Sequence, residues 1–129
     1  MGEPPAESTS HPYSLAMEAN GMVYVSGAAG IDYEQHAPVP GRRPCVDAAL
    51  SEVEKRLHAV DCSLANVAKM TYFLTDITLR NEANEQFEEV FSEPRPARTV
   101  LGVQSLPYGA QVVIECVAHR DWQRAERTV

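Results

Sequence analysis

The chain is poor in several features that would assign it quickly to a class. It has three cysteines, Cys45, Cys62 and Cys116, an odd number with no close pair. That argues against a disulfide framework and fits reduced thiols. The cysteines and the four histidines (His11, His36, His58 and His119) are too scattered to suggest a metal site. No apolar run approaches the roughly 20 residues of a membrane span, so no membrane partner is expected. The N-terminus, MGEPPAESTS, is polar and proline-rich, unlike a signal peptide. Basic clusters are also scarce. Arg42-Arg43 and the arginines from 120 to 127 stand against a net charge of −7. Binding along a phosphate backbone needs clustered Lys and Arg, so no nucleic-acid partner is expected either. No repeats occur, and the default location is the cytoplasm.

What is present is an ordinary globular composition, 129 residues with 44% apolar and 22% charged. That length suits one domain with one real core. Residues 1–10 read as a loose leader, 11–120 as the domain and 121–129 as a polar tail. Asn20-Gly21 separates two alternating runs, Tyr13–Ala19 and Met22–Ser26, and predicts a hairpin with a type I′ turn. Residues 31–43 read as a loop, with or without one short strand. From Pro44, a good first-turn residue, Val46, Leu50, Val53, Leu57 and Val60 recur at helical steps. Asp61-Cys62-Ser63 stops that helix. Ala68–Thr75 is rich in β-branched and aromatic residues and reads as a strand. Asp76 to Thr78 caps a second helix, Leu79 to about Ser92, with a buried stripe of Ala83, Phe87, Val90 and Phe91. Asn84 borders that stripe, and Pro94 and Pro96 end the helix. Arg98–Gln104 and Gln111–Ala118 read as a final hairpin joined through Ser105–Gly109.

The order is β-β-α-β-α-β-β, an α+β domain with its two helices on one face of the sheet. The second face of the last hairpin (Val100, Gly102, Val113 and Val117) is too apolar for water. A homo-oligomer is therefore expected. Arg98 opens its strand on the less apolar face, just after a helix. An arginine there can grip a carboxylate with two parallel hydrogen bonds, or make an ordinary ion pair. Spacing alone does not separate the two.

Several blocks in order resemble the Rid family (reactive intermediate deaminase, also YjgF or L-PSP). Pro12-Tyr13-Ser14 with Ala16 resembles its GPYSQA segment, and Val25-Ser26-Gly27 with Gly30 its SGQxG. Lys69-Met70-Thr71 with Phe73-Leu74-Thr75-Asp76 resembles KTTVFLTD. Asn84 to Phe91 resembles the NxxYxxFF helix, Pro96-Ala97-Arg98-Thr99 resembles PARS, and Leu106-Pro107 with Gly109-Ala110 resembles the last turn. The resemblance covers residues 11 to about 120. It implies a chorismate-mutase-like fold and a homotrimer with clefts between subunits. It also implies hydrolysis of imines and enamines such as 2-aminoacrylate, without a cofactor. Carried over by position, Arg98 would anchor the substrate carboxylate, and Tyr13, Ser26 and Asn84 would line the cleft.

The chain departs from that pattern at the catalytic acid. The family's last strand reads roughly VEIEA, with the first Glu activating water. Gapless alignment puts Val113 at that position and matches Glu115 to the second acid. Valine cannot accept a proton. If the last two strands pair as a hairpin, Glu115 lies diagonal to Arg98, either as an ion-pair partner or as a substitute base. His11 replaces a glycine and Val100 a cysteine. His11 is either solvated or an acid–base group near neutral pH. Two functions follow. One is an imine or enamine deaminase, or a related enzyme, acting on a small carboxylate held by Arg98. The other is a non-deaminating member that binds such a carboxylate or catalyses another reaction. RNA cleavage, attributed to some members, suits the acidic balance least.

Overall fold

Asn20 and Gly21 both take positive φ, 54° and 81°. That is the backbone of the predicted type I′ turn, and it joins β1 (Ala16–Ala19) to β2 (Met22–Ala29) with Ala19 facing Met22. The computed structural model describes residues 11–124. The expected leader, 1–10, and residues 125–129 of the expected tail lie outside these. Residues 121–124 pack on the domain, where the Asn66 amide donates to Trp122 O at 3.0 Å and the Arg124 amide to Ala65 O at 3.0 Å.

The loop after β2 contains a two-stranded ribbon, β3 (Ile31–Asp32) and β4 (Ala37–Pro38). Next come α1 (Arg42–His58), β5 (Val67–Leu74), α2 (Arg80–Val90), β6 (Ala97–Gly102) and β7 (Val112–His119). α1 starts two residues before Pro44, which fits its first turn because it has no N–H to satisfy. Lys55, Arg56 and His58 at the far end suit the negative pole of the helix. The expected stripe Val46, Leu50, Val53 and Leu57 is buried, while Val60 lies past the helix and is half-buried.

Asp76 caps a single 3-10 turn, Ile77–Leu79, by accepting from the Thr78 amide at 2.9 Å, and α2 follows directly. Ala83, Phe87 and Phe91 are buried as expected, but Val90 is 40% exposed. The stripe follows the i, i+4 line through 83, 87 and 91. The neighbouring buried position goes to Gln86, not Val90. α2 also stops at Val90, two residues early, because Phe91 is already extended (φ −114°, ψ 126°).

The main sheet has the order β1-β2-β7-β5-β6, antiparallel except for the β5–β6 pair. The expected hairpin of the last two strands is therefore wrong. β5 lies between them. The connection crosses the end of β5, where the Val103 amide donates to Leu74 O (2.8 Å) and the Thr75 amide to Gln111 O (3.1 Å). Tyr108 and Gly109, both at positive φ, turn the chain within it.

Register then divides the side chains. Arg98, Val100 and Gly102 lie beside Met70, Tyr72 and Leu74, on the face that packs against both helices. Val113 and Val117 lie beside Phe73 and Lys69 on the opposite, open face. The four residues expected to share one apolar face split two and two. The open face is still apolar. Met17, Tyr24 and Leu101 stand 56%, 48% and 36% exposed on it. Among the described residues no helix is long and apolar enough to cross a membrane.

Candidate active site

β6 starts directly after Pro96 has closed the α2 connection, and Arg98, its second residue, points back toward α2. Its Nη2 donates to Oδ1 of Asn84. The guanidinium lies over the rings of Phe87, 4.8 Å away, and Tyr72, 5.5 Å away. Nη1 is buried and has no hydrogen-bond partner among the described residues. Burial pushes the Arg98 pKa down, Arg80 adds to the effect, and Tyr72 and Glu88 oppose it. An arginine stays charged even so. A half-buried cation with an unpaired donor is suited to receive an anion. Beside it is a cleft of about 290 Å³ lined by Asn84, Phe87, Glu88, Arg95 and Arg98.

The floor of the cleft is held from behind. The Tyr72 hydroxyl donates to Oε1 of Gln86 at 2.9 Å, and Gln86 Nε2 donates to Val46 O at 3.1 Å and to Asp47 at 2.9 Å. One buried amide thus fixes α1, α2 and the ring beneath Arg98. Glu88, Arg95 and Gln86 had no role in the sequence reading. Glu88 carried a usable signal, since it follows Asn84 by one helical turn. Arg95 lay three residues before Arg98.

A second group forms around a bulge in β2. Val25 faces Cys116 and Ala28 faces Ile114, so Ser26 and Gly27 together oppose Glu115. The Ser26 hydroxyl donates to Ser14 O at 2.7 Å, and its amide to Leu15 O at 3.0 Å. Arg56, buried on α1, donates from Nη1 to the carbonyls of Ser26 (2.9 Å) and Gly27 (3.3 Å), and from Nε to Glu52 (2.9 Å). Its guanidinium lies 5.6 Å from the Tyr33 ring centre, and the Tyr33 hydroxyl accepts from the Ala29 amide at 2.7 Å. Burial raises the Tyr33 pKa. A Cβ on Gly27 would come within 2.7 Å of a Val113 methyl, so a larger residue at the bulge would force Val113 to move. Tyr13 is exposed, and its ring centre is 5.1 Å from that of His11.

The eight expected residues thus fall into two groups. Arg98, Asn84 and Val100 belong to the helix side of the β6 edge. Ser26 lies on β2, Val113 and Glu115 lie on the open face of the central strand β7, and Tyr13 and His11 precede the edge strand β1. The expected contact between Arg98 and Glu115 is absent within one chain. Met70 pairs with both Arg98 and Cys116, whereas Thr71 pairs with Glu115. Arg98 and Glu115 therefore point to opposite faces, and the hairpin register that joined them does not exist.

A profile described as endoribonuclease L-PSP matches residues 4–120. The chain belongs to this family, the Rid or YjgF family. A RutC family protein of Aquifex aeolicus is 38% identical over 109 residues, 83% of this chain and 87% of its own length. The human 2-iminobutanoate/2-iminopropanoate deaminase is 35% identical over 108 residues, covering 83% and 79%. The crystal structure of RidA from an Antarctic Psychrobacter species superposes with a TM-score of 0.79 at 32% identity, covering 84% and 89%. In this Rid chain the two groups of candidate residues are carried by different strands, and Arg98 is the one with a ready-made cleft.

Proposed function

We propose that this Rid-family protein hydrolyses small 2-imino acids and the enamines that interconvert with them. Water adds to the imine carbon, the carbon–nitrogen bond breaks, ammonia leaves and a 2-oxo acid remains. Arg98 holds the carboxylate, and its buried, unpaired Nη1 is the observation that carries the reading. Asn84 fixes the guanidinium. The other residues come from a second copy of the chain. His11, Tyr13, Ser26 and Glu115 meet Arg98 only when copies assemble, as the homotrimer implied by the sequence resemblance would allow. The apolar open face, with Met17, Tyr24 and Leu101, supports such an assembly. Glu115 is the candidate for activating water, and Val113 narrows the cleft beside it. A cleft of about 290 Å³ and a net charge of −7 suit a small anion better than RNA. The three unpaired buried thiols suit a reducing compartment such as the cytoplasm. No cofactor is needed.

Val113 favours one further reading, a member that binds 2-oxo or imino acids without releasing ammonia. An assay of ammonia release from freshly generated 2-iminobutanoate separates the two. The deaminase reading expects acceleration over buffer, and Arg98→Gln should lower kcat/KM about 100-fold, the scale of a lost charge-assisted contact. Binding of 2-oxobutanoate without any acceleration would favour the second reading.

A further inference from the structure

Three charged side chains line the Arg98 cleft, and holding one carboxylate uses only one of them. Arg95 reaches the cleft from the connection before β6. Its Nε donates to Phe91 O at 2.9 Å, which fixes the guanidinium plane. Its side-chain contact is with Glu93 at 3.5 Å, and Glu93 is 79% exposed. A pair so long and so wet binds weakly and yields readily to a better anion. Glu88 stands one turn after Asn84 on the same side of α2, so its carboxylate faces the space next to Arg98. Phe87 is the apolar wall between them. The cleft thus combines two positive charges and one negative charge in a chain that is acidic overall.

We infer that the cleft selects 2-imino acids whose side chain ends in a second carboxylate. The inference rests on the deaminase reading for the imine group. The protonated imine of such a diacid carries two carboxylates and one cationic nitrogen. These match the site one for one. Arg98 takes the carboxylate next to the imine, Glu88 faces the nitrogen, and Arg95 takes the distal carboxylate. A monocarboxylic imine leaves Arg95 without a counterpart.

The test uses imines made in place. D-aspartate oxidase supplies them from D-aspartate and D-glutamate, and D-amino-acid oxidase from D-alanine and D-2-aminobutyrate. Release of 2-oxo acid by the intact protein is timed against buffer. The expected result is a kcat/KM about tenfold higher for the dicarboxylic imines, the scale of one charge-assisted hydrogen bond. In Arg95→Gln that ratio falls about tenfold, through KM, and Arg95→Lys recovers part of it. Equal rates for the two classes in the wild type, or a ratio unmoved by Arg95→Gln, overturns the inference and leaves the deaminase reading standing. If no imine is hydrolysed, the deaminase reading falls, and calorimetric titration with 2-oxoglutarate against 2-oxobutanoate decides the ligand class. Tighter binding of the diacid, lost in Arg95→Gln, upholds it, and equal or absent binding overturns it.

Discussion

Gln86 makes three hydrogen bonds in a place that water does not reach. Replacing it by leucine would leave the buried Tyr72 hydroxyl without its partner and the Val46 carbonyl with only its helical one. Gln86→Leu should lower unfolding stability by about 2 kcal/mol, read from a urea titration. A loss below about 0.5 kcal/mol would mean the network is not holding the cleft floor. The sequence reading passed over this residue because helical periodicity counts apolar side chains. A buried amide interrupts that count, and Val90 was placed on the stripe in its stead. Arg56 was missed for the same reason. It sits between Val53 and Leu57 on the buried side of α1, where pattern reading expects hydrocarbon. The places of Arg98 and Asn84 in the chain were legible, one after a helix-ending proline and the other beside an apolar stripe, while their candidacy as site residues came from the family resemblance.

The bulge in β2 depends on α1. Two successive carbonyls, of Ser26 and Gly27, point at one guanidinium that is 2% exposed and paired with Glu52. Arg56→Met would leave a mostly buried carboxylate and two carbonyls unpaired. The expected cost is about 3 kcal/mol, measured by chemical denaturation, because breaking a buried ion pair strands its partner. Stability equal to that of the wild type would mean water replaces the guanidinium. At this scale the identity and order of the strands were legible, and their neighbours were not. Alternation tells which residues share a face of one strand. It does not tell which strand lies alongside, since pairing between distant segments leaves no local mark. The last two strands looked like a hairpin because they are consecutive, yet β5 comes between them.

Across the whole molecule, Arg98 on the edge strand β6 and Glu115 on the central strand β7 point to opposite faces of one sheet. A site shared between copies can be tested by complementation. Arg98→Gln and Glu115→Gln chains should each retain only about a hundredth of wild-type activity alone. When they are unfolded together and refolded as a mixture, activity should return to about a quarter of wild type, since each shared site draws its two halves at random. No recovery, or a monomer by light scattering, would place the chemistry within a single chain. The apolar open face was anticipated in kind and misassigned in detail. Of the four residues expected there, Val113 and Val117 belong to it, while Val100 and Gly102 turn inward with Arg98.

Among the described residues β6 pairs with β5 and with no other strand. The backbone carrying Arg98 is therefore held by one ladder, at the margin of the sheet. Lifting that margin costs less free energy than unfolding the domain, because the inner strands keep their pairing. Opening of that margin would separate Arg98 from Asn84 while the inner strands stay paired. If Arg98 holds the ligand as proposed, a substitution at the exposed positions of β6 should change affinity more than global stability, whereas Val100, which packs on the core, should change both.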